Sequence, residues 1–106
     1  MRATPPHPRG TYLRFAATAI SWRGPAPFVF VPVPPEEADA IAALVPRLTY
    51  GWGVIPTTVL IGGTTFTTSL FPRDGGYLVP VKAAVQRAEQ LGPGDEVTVE
   101  LHLEES

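Results

Sequence analysis

The sequence predicts a mainly β, α+β domain in which one β-β-α-β unit is used twice. The tripeptide Val-Pro-Val occurs at Val31-Pro32-Val33 and again at Val79-Pro80-Val81, and its surroundings recur with it. The first copy runs Phe15, Trp22-Arg23-Gly24, Phe28-Val29-Phe30, the tripeptide, a helix-like stretch, Gly51-Trp52-Gly53 and an apolar run. The second runs Phe66, Pro72-Arg73-Asp74-Gly75, Tyr77-Leu78, the tripeptide, a helix-like stretch, Gly92-Pro93-Gly94 and another apolar run. A unit duplicated within 106 residues implies one pseudo-symmetric domain.

Residues 1–10 carry three prolines and two arginines without periodicity and read as a flexible tail. The domain is expected over 11–103, with 104–106 fraying. Thr11 to Ser21 alternates Leu13, Phe15, Ala17 and Ala19 against Arg14, Ala16, Thr18 and Ile20, which is a strand pattern. Trp22-Arg23-Gly24-Pro25 supplies turn residues, and Phe28 to Val33 is a second strand, with Pro32 placing it at an edge or a strand end.

Pro34-Pro35 and the acids Glu36, Glu37 and Asp39 suit a helix N-terminus, where the macrodipole favours negative charge. Ala38, Ile41, Ala42 and Val45 form its apolar stripe, and Pro46 is expected to stop it. Val54 to Ile61 and Thr64 to Phe71 are strands joined by Gly62-Gly63, a hairpin signal. Asp74-Gly75-Gly76 is a second hairpin turn, leading to a short strand from Tyr77 to Val79.

Val81, Ala84, Val85, Ala88 and Leu91 line one face of a second helix, with Lys82, Gln86, Arg87 and Glu89 opposite. Gly92 suits the left-handed residue that closes it. The last strand alternates Val97, Val99, Leu101 and Leu103 inward against Thr98, Glu100 and His102 outward.

Composition narrows the function classes. Hydrophobic residues make up 44% and charged residues 17%, too apolar for a disordered chain. Eight basic against ten acidic residues give a net charge of −2, which lacks the basic excess of an isolated nucleic-acid binder. The absence of cysteine excludes disulfides, thiolate metal sites and cysteine nucleophiles. His7 and His102 are too far apart in sequence to suggest a metal centre, so no cofactor is expected. No signal or long apolar span is present, and the expectation is a cytoplasmic protein away from membranes.

Three stretches carry a family resemblance: Trp22-Arg23-Gly24-Pro25, Gly51-Trp52-Gly53, and the run from Thr68 through Ser69-Leu70-Phe71-Pro72 and Gly75-Gly76-Tyr77-Leu78-Val79-Pro80 to Lys82. The chain resembles the small prokaryotic family catalogued as domain of unknown function nineteen hundred and five, from about Leu13 to Leu103. The resemblance implies a double-split β-barrel: two interleaved β-β-α-β halves capped at both ends by helices. The second half is also similar to the AbrB/MazE-type swapped-hairpin unit. Val79-Pro80, the helix from Val81 to Leu91, Gly94-Asp95 and the strand Val97 to Leu103 are its equivalents. AbrB-type proteins bind DNA as dimers through basic loops; here the halves are fused and the loops are not basic. The resemblance supplies no catalytic residue.

Arg23 and Arg73 occupy corresponding places, eight residues after Phe15 and seven after Phe66. Together with the loop aromatics Trp22 and Trp52 they form the candidate ligand site, suited to a small anionic or aromatic ligand or a partner protein. The structural alternative is that each arginine satisfies loop carbonyls or a local acid such as Asp74, and that the tryptophans plug the barrel ends. Thr57, Thr58, Thr64, Thr65, Thr67, Thr68 and Ser69 read as the solvent face of a hairpin. The leading functional reading is a non-enzymatic, monomeric small-ligand or protein-interaction module. An AbrB/MazE-like DNA-binding or antitoxin-like regulator is second, and a small hydrolase or isomerase third.

Overall fold

A computed structural model describes residues 10–22, 28–48 and 55–104 of the chain. Seven strands and two helices follow in the order β1 (Gly10–Thr18), β2 (Ile20–Trp22), β3 (Phe28–Pro32), α1 (Pro35–Leu48), β4 (Ile55–Ile61), β5 (Thr64–Arg73), β6 (Gly76–Val81), α2 (Ala83–Glu89) and β7 (Glu96–Glu104). The mainly β expectation holds. The strands form one curled antiparallel sheet in the order β1-β7-β4-β5-β6-β3-β2.

Two strands switch partners along their length. β5 pairs with β4 from Thr64 to Leu70 and with β6 from Phe71 to Arg73. The stretch β1-β2 behaves alike: Gly10 to Thr18 pairs with β7, and Ile20 to Trp22 with β3. The single strand expected over Thr11 to Ser21 is thus broken at Ala19. The cause is distant in sequence. The Ala19 N–H donates to the Asp95 carbonyl at 2.8 Å, and its carbonyl accepts from the Gly94 N–H at 2.8 Å. The turn before β7 takes both Ala19 backbone groups out of the ladder.

The core fills the concave side of the sheet. Phe15, Val29, Val31, Val59, Phe66, Leu70, Val79, Val99, Leu101 and Leu103 are buried there, and Ala38 and Ile41 of α1 and Val85 of α2 join them. The alternation read for β7 is observed, with Val99, Leu101 and Leu103 at 0%, 1% and 0% exposure. Thr57 departs from the expected solvent face. It is 5% exposed, and its hydroxyl donates to the His102 carbonyl at 3.0 Å, which satisfies the buried oxygen.

The strand prolines explain how the sheet tolerates them. Pro32, Pro56, Pro72 and Pro80 each lie where the strand has a described ladder on one side only. β5 reaches β6 only as far as Leu78, so β6 is locally an edge at Pro80. A missing N–H costs no ladder bond at such a position.

The helices depart from the sequence reading in detail. α1 continues two residues past Pro46, so the proline removes one hydrogen bond of the last turn but does not end the helix there. Ala42, assigned to the buried stripe, is exposed. α2 is shorter than expected, because Val81 belongs to β6. Gln90, with φ 52° and ψ 45°, closes α2 in the left-handed conformation instead of Gly92. Ala84 and Ala88 face solvent, whereas Gln86 and Glu89 turn inward. Gln86 Nε2 donates to the Val81 carbonyl at 3.0 Å. No described helix is long and apolar enough to cross a membrane.

Candidate functional site

Of the four residues expected to form the ligand site, Arg23 and Trp52 lie outside the described residues, and only the backbone of Trp22 is described. Arg73 is placed in full. The register separates Trp22 from Arg73. Trp22 pairs with Phe28 at one end of β3, and Arg73 pairs with Gly76 at the opposite end of the β3–β6 ladder. Extending that ladder sets Gly76 against Pro34, six residues beyond Phe28, or about 20 Å at strand rise. The two backbone positions therefore stand apart, and Arg73 has its own neighbours.

Those neighbours begin with the turn. β5 and β6 are joined by Asp74-Gly75, with φ of 53° and 78°. Positive φ at both central residues is the type I′ geometry, whose twist matches that of the strands it joins. Gly75 takes this conformation without penalty, and aspartate is among the few side chains that tolerate it. The turn residues are thus fixed relative to the sheet without help from a longer loop.

Arg73 Nε lies 3.4 Å from Asp74 Oδ2, with the two side chains 42% and 86% exposed. Beside them, Pro72, Gly75, Gly76 and Tyr77 of the hairpin and Ala42 of α1 line an open groove of about 330 Å³. Tyr77 is half-buried against the core and forms the floor side, while exposed Ala42 supplies the helix wall. The exposure of Ala42, a departure from the helical stripe, thus contributes to the groove.

A second cleft of about 440 Å³ is bounded by Ile61, Gly62, Glu89, Asp95, Glu96 and Thr98 among others. Two of its acids, Glu89 and Asp95, hold the fold. Glu89 accepts from the Gly63 N–H at 3.2 Å and from the Thr64 hydroxyl at 2.5 Å, and Asp95 accepts from the Gly92 N–H at 2.8 Å. Sequence reading missed Glu89, because its partners lie 25 and 26 residues away. Among the described residues no group of three or more His, Cys, Asp or Glu could hold a metal ion. On the outer face, Tyr12 and His102 stack at 4.4 Å with an interplanar angle of 13°, a cross-strand pair of β1 and β7. Such pairs stabilise sheets by about 0.2–1 kcal/mol.

The family model described as Domain of unknown function (DUF1905) matches residues 15–101. The chain belongs to this family. The match begins within β1 at Phe15 and ends within β7 at Leu101, and it takes in the other strands and both helices. No curated protein matches the chain.

Proposed function

We propose that the chain is a non-enzymatic binding module whose site is the groove between α1 and the β5–β6 hairpin. The observation that carries this reading is the placement of Arg73. It ends β5 beside a rigid two-residue turn and lines a groove with the apolar Pro72, Tyr77 and Ala42. Binding sites combine such walls with a few fixed polar groups, and loops on a rigid β scaffold are where they form. The described lining contains no serine, threonine, cysteine or histidine, which favours binding over nucleophilic catalysis. The ligand class is small, and anionic or aromatic. Titration with small aromatic carboxylates should shift the amide resonances of Gly75, Gly76 and Tyr77. Arg73→Ala should abolish these shifts at an unchanged melting temperature. A lower melting temperature with the shifts retained would assign Arg73 to structure instead.

The finer architecture, a double-split pseudo-barrel made of two β-β-α-β repeats, is supported by the ladder registers. One set of shifts relates the halves: 51 residues from Phe15 to Phe66, 48 from Val31 to Val79, and 40 from Val59 to Val99. It converts the pair Phe15↔Val99 into Phe66↔Val59 and the pair Ile20↔Phe30 into Phe71↔Leu78. It maps the β3–β6 ladder onto itself about Val31↔Val79, and the β4–β7 ladder about Leu60↔Glu100. Under it the Trp22 position takes the place of Arg73. A fused pair of units closes its own edges, so a second chain is not required. Light scattering at micromolar concentration should give a mass near 11.4 kDa. A stable strand-exchanged dimer would contradict the fused-pair reading.

A further inference from the structure

We propose that the free side of β1 is a docking edge for an extended segment of a partner protein, one with apolar residues at alternate positions and an acid between them. The groove plays no part in this reading. Fusion of the two units gives their strands the cross-unit ladders β1–β7, β4–β5, β4–β7 and β3–β6. β1 is paired by β7 on one side, and among the described residues its backbone bonds nothing on the other. An unpaired edge is a template for a further strand, and proteins blunt such edges with short length, proline, lysine, a bulge or a covering helix. The other edges show these devices: β2 has three residues, β6 carries Pro80, and α2 packs against β5. β1 has nine residues without proline or lysine, its register with β7 runs one to one, and no described helix packs along it.

The ladder fixes which groups face the free side. The Ala19 N–H donates to the carbonyl of Asp95, the residue opposite it. Opposed residues of an antiparallel pair alternate between bonded and unbonded. Counting back, Thr11, Leu13, Phe15 and Ala17 bond to β7, while Tyr12, Arg14 and Ala16 turn their N–H and C=O to the free side. The occupant's side chains follow. Leu13 and Ala17 are only partly buried against the core, so apolar residues of an added strand would extend their cover. Arg14, the one charged residue of β1, is exposed and has no ion-pair partner among the described residues, so an acid suits the position facing it. β7 already meets β1 with this pattern: Val99, Glu100 and Leu101 stand opposite Phe15, Arg14 and Leu13. A second copy of β1 offers arginine and no acid, which favours a partner of different sequence.

The probe is a capped nonapeptide with the sequence of Glu96–Glu104, titrated into the full chain while amide hydrogen exchange is read residue by residue. Binding should slow exchange at Tyr12, Arg14 and Ala16 by about tenfold or more at saturation and leave Leu13 and Phe15, already bonded to β7, unchanged. The same peptide with lysine in place of Glu100 should bind about three- to fivefold more weakly, and Arg14→Glu should reverse that order. Ala16→Pro removes a free-side N–H without touching the β7 ladder, so it should keep the fold and weaken the peptide. Unchanged exchange at Tyr12, Arg14 and Ala16 would overturn the proposal, as would full binding to Ala16→Pro. Loss of protection at Leu13 and Phe15 would mean that the peptide replaces β7, and the docking edge fails. Equal binding of the two peptides removes the acid from the occupant's description. A mass that doubles without peptide makes the occupant a second copy and overturns the assignment to a partner.

Discussion

The turn at Gly62-Gly63 is clamped by a helix side chain, whereas the turn at Asp74-Gly75 borders an open groove. Both join successive strands through two residues, and both begin with a left-handed residue, Gly62 at φ 59° and Asp74 at φ 53°. At the first, Glu89 of α2 reaches across to accept from the Gly63 N–H and the Thr64 hydroxyl. A carboxylate at the last residue of a helix faces the negative end of the dipole, so those two donors offset an unfavourable position. At the second, Arg73 and Asp74 pair beside an open groove, with side chains 42% and 86% exposed. The same turn length thus serves as a tertiary clamp in one place and as a presented surface in another. What marks the first is the α2 carboxylate that takes its N–H.

Gly62→Ala should break the first turn most severely. A Cβ there would lie 2.0 Å from Glu89 Oε1, and the left-handed conformation penalises any side chain. Strain of about 1–2 kcal/mol plus displacement of the Glu89 hydrogen bonds predicts a loss of about 2–4 kcal/mol in denaturant unfolding. Glu89→Ala alone should cost less, about 1 kcal/mol, since Gly63 is exposed and water replaces the carboxylate there. The double variant sharpens the point. Removing Glu89 removes the clash as well, so the two losses should be less than additive. Full additivity would mean that Glu89 does not hold this turn. At the second turn Asp74→Asn should change stability by less than about 0.5 kcal/mol, as exposed ion pairs contribute little. A loss above about 1 kcal/mol would make the Arg73–Asp74 pair a structural clamp and erase the contrast.

The parts of this molecule visible in sequence are those set by local patterns. The alternation from Val97 to Leu103, the repeated Val-Pro-Val and the Gly62-Gly63 and Asp74-Gly75 turns each state their geometry within a few residues. The parts that were hidden depend on a partner from elsewhere. Ala19 reads as one more strand residue until Gly94 and Asp95 take its backbone groups. Glu89 reads as a solvated helix residue until the Gly63 N–H is beside it. Thr57 reads as surface because its carbonyl partner, on His102, is 45 residues away. The candidate site divides in the same way. Arg73 and its turn were visible, but Ala42 was assigned to the buried face. The pairing of Trp22 with Phe28 at the far end of β3 could not be seen from similar spacing alone.

The most direct test of the division between the two turns is a residue-resolved NMR map of ligand contact on the full chain, with L-phenylalanine as probe. Shifts should concentrate at Ala42, Arg73, Gly75, Gly76 and Tyr77, with Gly62, Gly63 and Glu89 unmoved. Shifts centred on Gly62, Glu89 and Asp95, or no localised shifts at all, would contradict it.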